Sequence, residues 1–193
     1  MRRFLTLVGI SFLLLSCSSR TSSGSTVTCA QQYWNGSIGV CLPDGWRVVD
    51  RQTLTARGAP EDTVVAFQAG SPVSGQFPTV TITSEMLQQQ VQSSTYSEAS
   101  IRSVAQLPGY KLLDSRNATV DGQALQLHIF TAQPVADEPA RRFYQLSAVS
   151  QNTGYTVTGL TPLSVSSTLE QQVLLILQSL TFQAPKGQGA SSS

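Results

Sequence analysis

Two long extended stretches, each folding back on itself through a turn sequence, constrain this chain more than any other feature. Residues 110–120 and 124–131 flank Asp121-Gly122, a dipeptide that supplies the positive φ angles of a tight hairpin turn. Residues 142–150 and 155–160 flank Asn152-Thr153-Gly154 in the same way. Both pairs are long enough to form the centre of an antiparallel sheet. Upstream, residues 37–42 and 46–49 are short β-prone runs split by Pro43-Asp44-Gly45, which predicts a first hairpin. Residues 63–68 and 79–83 then continue the sheet across a loop containing Pro72, Gly75 and Pro78.

Two helices punctuate these strands. One is expected to begin at Ser97, with Tyr96 before the cap and Ile101 after it placed as a hydrophobic staple. Ile101, Val104 and Ala105 are its apolar face, and Pro108-Gly109 ends it. The other starts at Ser167, whose spacing to Glu170 is that of a capping box, and carries the periodic set Leu169, Val173, Ile176 and Leu177. Residues 180–182 close the chain as a short extended piece. This pattern predicts an α+β fold, a mostly antiparallel sheet covered by helices. The chain has 193 residues and is 40% hydrophobic, which suits one domain with one core.

The N-terminus reads as an export signal. Arg2 and Arg3 precede an apolar run, residues 4–15, that is too short to cross a bilayer as a permanent helix. Its ending, Leu14-Leu15-Ser16-Cys17, resembles the lipobox of bacterial lipoproteins. That resemblance implies a signal peptide over residues 1–16 and a thioether-linked diacylglycerol on Cys17, with palmitate-like chains holding the protein to a bacterial cell membrane or outer membrane. An ordinary secretory signal cut elsewhere, with Cys17 discarded, is the competing reading. Residues 17–28 form a Ser/Thr-rich tether, residues 29–182 the folded domain, and residues 183–193 a tail expected to be disordered.

Cys29 and Cys41 remain as an even pair in a chain sent where disulfides persist, so they are expected to be bonded. A loop of that size would contribute about 3 kcal/mol by restricting the unfolded chain. Two thiolates without a nearby histidine or second cysteine pair cannot complete a zinc shell, and the C-x-x-C spacing of redox pairs is absent.

The segment Val40-Cys41-Leu42-Pro43-Asp44-Gly45-Trp46 resembles the opening strand, Pro-x-Gly-Trp turn and next strand of the PsbP-like superfamily. The hairpin around Asp121-Gly122, the strand holding Tyr144-Gln145-Leu146, and the closing helix before Ser179-Leu180-Thr181-Phe182 follow in the same order. The resemblance covers residues 34–182. It implies a PsbP-like α/β/α sandwich and a non-enzymatic accessory role in a larger, often membrane-associated assembly. No functional residue of the family carries over.

A formal net charge of +1 and 12% charged residues provide no basic stripe for nucleic acid. No G-x-S-x-G, P-loop, H-E-x-x-H or cofactor motif occurs. The single histidine, His128, is expected to be a half-exposed strand residue on the face of Gln126 and Phe130. Glu61-Asp62 and Asp137-Glu138 sit in loop-like, proline-flanked segments. Candidate partner contacts are Trp34, inside the Cys29–Cys41 loop, and Arg141 and Arg142, which with Lys111 and Arg116 could form a docking rim. The expectation is a membrane-anchored, non-catalytic module binding an envelope protein. Its alternative is a carrier of a hydrophobic small molecule or lipid, with an envelope hydrolase behind both.

Overall fold

A computed structural model describes residues 26–185. The expected signal peptide, Cys17, most of the tether and the end of the tail lie outside the described residues. The elements, in chain order, are β1 (Gln31–Trp34), β2 (Gly39–Leu42), β3 (Trp46–Val49), α1 (Arg51–Ala56), β4 (Thr63–Ala69), β5 (Thr79–Met86), α2 (Ser93–Val104), β6 (Lys111–Val120), β7 (Gln123–Ala132), β8 (Arg141–Ser150), β9 (Thr153–Pro162) and α3 (Ser167–Gln178). Seven strands form one antiparallel sheet in the order β3-β4-β5-β9-β8-β7-β6, while β1 and β2 form a separate ribbon. The architecture is α+β, with α3 and the ribbon on one face of the sheet and α2 on the other.

Both long hairpins form, but the second closes through Gln151-Asn152, one residue before the expected Asn152-Thr153-Gly154, so Thr153 and Gly154 pair within β9. Asp121 and Gly122 adopt φ 47° and 83°, the positive values that the turn needs. They do not share the centre, however: β8 and β9 lie inside the sheet, whereas β7 leads out to β6 at its edge.

The first hairpin expected from the sequence does not exist. Pro43-Asp44-Gly45 carries the chain from the ribbon into the main sheet, so β2 pairs back with β1 and β3 pairs with β4. The turn residues permit a reversal without choosing its partners. The reversal that builds a hairpin lies earlier, where Asn35 Oδ1 accepts from the N–H groups of Ser37 and Ile38 at 3.0 Å each. All four residues of β2 are buried, since the strand packs under α3 and Gly39 bridges to Thr181.

Helix α1 escaped the sequence reading because its six residues bury only Leu54; Asp50 caps it through the Thr53 N–H at 2.8 Å. Helix α2 starts at Ser93, not at Ser97, which lies buried in its interior. Helix α3 is capped by Ser166, whose hydroxyl accepts from the Leu169 N–H at 3.2 Å, one residue before the predicted cap. Its predicted stripe of Leu169, Val173, Ile176 and Leu177 is buried as expected.

Candidate functional site

Strand register sorts the side chains of the main sheet into two unlike faces. Toward α3 point Val80, Ile82, Leu127, Ile129, Tyr144, Leu146 and Val157, all within the main core. Toward α2, one rung across the strands reads Thr81, Thr158, Gln145, His128, Ser115. The alternation that buries Val80, Ile82 and Val157 on one face puts Thr81, Thr83, Thr156 and Thr158 on the other.

Helix α2 meets this face with hydroxyls. The Ser93 Oγ accepts from the Val149 N–H at 2.7 Å and bonds Gln123, while Ser147 Oγ bonds Ser100 at 2.9 Å and Thr156 at 3.0 Å. Tyr96 donates its hydroxyl to Glu85 at 2.8 Å. Its ring lies over Gly154, where any Cβ would collide with it. Burial pushes the Tyr96 phenol up to about 12, so it stays a hydroxyl donor at any physiological pH.

Between α2 and the β5–β9–β8 surface lies a cleft of about 410 Å³. Thr83, Tyr96, Ser100, Gln145, Thr156 and Thr158 line it, with Asp62 and Glu85 among its walls and no lysine or arginine. Gln145 is 8% exposed, and its Oε1 has no hydrogen-bond partner. A buried amide oxygen left unpaired is costly, which makes this group a ready acceptor for a ligand or water. The lining suits a polar, neutral or cationic group and repels an anion.

His128 is buried, not half-exposed as expected: it is 4% exposed because Tyr110 folds over it, the phenol oxygen 2.8 Å from Nε2. Desolvation holds the imidazole below its ordinary value. Phe130 and Phe143 stack beside it with centroids 5.0 Å apart. Among the described residues, no three His, Cys, Asp or Glu side chains come together in a group able to hold a metal.

The residues singled out in the sequence are scattered. Cys29 and Cys41 are joined, with their Cα atoms 5.5 Å apart. Trp34 is half-buried in the ribbon beside Gly39. Trp46 lies under α3, where its Nε1 donates to Gln172 at 3.2 Å. Arg141 and Arg142 are consecutive strand residues and point to opposite faces. Arg141 pairs with Glu138 at 3.1 Å; Arg142 joins Arg116 on Glu170 of α3, at 3.8 and 3.4 Å respectively. Sequence reasoning missed Gln145 and Tyr96 as parts of one cleft; its available signal was the Thr-x-Thr alternation of β5 and β9.

Taken together, a strongly antiparallel sheet flanked by α2 and α3 defines a PsbP-like fold. The solved structures that share it include LpqN, involved in cell envelope biogenesis of Mycobacterium tuberculosis, and the cyanobacterial PsbP of Synechocystis sp. PCC 6803. LpqN superposes with a TM-score of 0.57 and 16% identity over 75% of this chain and 82% of its own. The cyanobacterial PsbP gives 0.55 and 14% over 83% of this chain and 96% of its own. No family model matches the chain, and no curated protein matches it in sequence.

Proposed function

We propose that this chain is exported, acylated on Cys17, and acts as a non-catalytic binding module anchored to a bacterial envelope membrane, engaging a polar partner through the α2 face of its sheet. The Cys29–Cys41 bond carries the reading: such a bond persists in an oxidising, extracytoplasmic compartment, and it follows directly on an export signal ending in cysteine. The role of LpqN in envelope biogenesis, on the same fold, supports the setting. The face itself favours a polar partner over a hydrophobic cargo, since hydroxyls and an amide line the cleft beneath α2 while the space beneath α3 is filled by core side chains. Of the candidate contacts, Arg141 shares the α2 face; Arg142 lies on the other face and Trp34 in the ribbon.

In-cell crosslinking of the tagged protein, with a Cys17→Ser control and mass-spectrometric identification of what is enriched, tests the proposal. A stoichiometric envelope protein that disappears in the control is the expected result. Turnover of a substrate by the purified protein, or no specific partner in membranes, would overturn it.

A further inference from the structure

The loops at one end of the main sheet carry an unusual set of side chains. Register places Trp46, Ala69, Thr79, Leu160, Phe143 and Phe130 at the same end of their strands. At or just beyond that end stand Phe77, Leu112, Leu113, Val135 and Leu163, exposed by 40%, 50%, 41%, 52% and 47%. They are five of the seven large hydrophobic residues exposed among the described residues, so the apolar surface is concentrated at one end. Met86, the most exposed at 86%, sits at the opposite end, paired with Thr153.

The chain enters the domain at this same end. Ala30 donates to the Leu42 carbonyl at 2.9 Å, and Leu42 leads straight into the turn before Trp46. The Cys29–Cys41 bond pins the entry point there. Twelve positions separate Cys17 from Cys29, and a Ser/Thr-rich coil of that length spans about 20 Å on average. The ten-residue strands are about 33 Å long, so a tether of that reach keeps the entry end nearer to its anchor than the far end.

We infer that the loop end bearing Phe77, Leu113, Val135 and Leu163 is a membrane-contact surface that rests its apolar tips in the lipid headgroup boundary. The inference depends on acylation of Cys17. Charge does not provide the attraction, because Asp137 and Glu138 offset Lys111 and Arg141 around the tips, and Arg141 is already paired with Glu138. The contact is therefore apolar and insensitive to salt, unlike that of a polybasic patch. Seated in this way, the domain stands with its strands rising from the bilayer and the α2 cleft open to the side.

The test uses the full-length acylated protein in phosphatidylethanolamine–phosphatidylglycerol vesicles doped with brominated phosphatidylcholine. Phe77→Trp, Val135→Trp and Leu163→Trp are compared with Met86→Trp, each read against the unaltered protein, with flotation and the mass of Cys17 measured on the same samples. All four positions are exposed, so the fold tolerates the change. Quenching at the first three positions and none at Met86→Trp, unchanged by high salt, is the expected result. A protein that is acylated and floats, yet shows no excess quenching at the loop end, overturns this inference and leaves the anchor standing. An unacylated Cys17 removes the anchor and the inference together.

Discussion

The two faces of the sheet are closed by helices of equal length and opposite chemistry. Helix α3 buries Leu169, Val173, Ile176 and Leu177, whereas the fully buried positions of α2 are Ser93 and Ser97. Strand β9 makes room for both with glycines. At Gly159 a Cβ would fall 2.6 Å from a Val173 methyl, and at Gly154 it would run into the Tyr96 ring. Burial of aliphatic surface drives the first contact, and hydrogen bonds with a small net value hold the second. One face is thus a core and the other a polar contact held by hydrogen bonds.

The contrast is sharpest under substitution. Ile176→Ala, which hollows out a site with no exposure, is expected to cost about 2–5 kcal/mol in denaturant unfolding. Ser97→Ala, at the matching depth on the other face, should cost less than about 1 kcal/mol, and a large loss there would break the comparison. Removing the Cys29–Cys41 bond is expected to cost about 3 kcal/mol, measured as the shift in the unfolding midpoint of a Cys29→Ser/Cys41→Ser variant. Ser93→Val should cost about 1–3 kcal/mol by leaving the buried Val149 N–H without its acceptor.

Acid supplies a gentler probe of the polar face. The folded state holds His128 below its ordinary value, so the unfolded chain binds a proton that the folded chain resists. Stability is then complete above about pH 6.5, falls as pH drops through that value, and levels off below the lowered folded-state value. His128→Gln should flatten that part of the profile. The smallest effect is expected for Gln145→Leu, which removes an unpaired amide oxygen and should change stability by less than about 1 kcal/mol. A large loss would show that Gln145 is already satisfied within the fold.

This same contrast decided what the sequence could reveal. The stripe of α3 and the hairpin at Asp121-Gly122 follow from local periodicity and turn chemistry, and both were legible; the second hairpin was legible too, but its turn lies at Gln151-Asn152 and not at the expected Asn152-Thr153-Gly154. The start of α2 was not, because Ser93 and Ser97 look like cap and linker residues, and hydrophobic periodicity cannot mark a helix whose inner side is serine. Pro43-Asp44-Gly45 announced a turn but not that it joins a ribbon to a sheet. The cleft was least legible, since Tyr96, Gln145 and Thr158 converge only through the β5-β9-β8 register, which no local signal encodes.

Native-state hydrogen exchange on the amides of α2 and α3 tests the division of the two faces most directly. Amides of α3 should exchange only through global unfolding, whereas those of α2 should open at a distinctly lower free energy in a separate unit. Equal protection of both helices, or slower exchange in α2, would contradict a polar face held loosely over a fixed core.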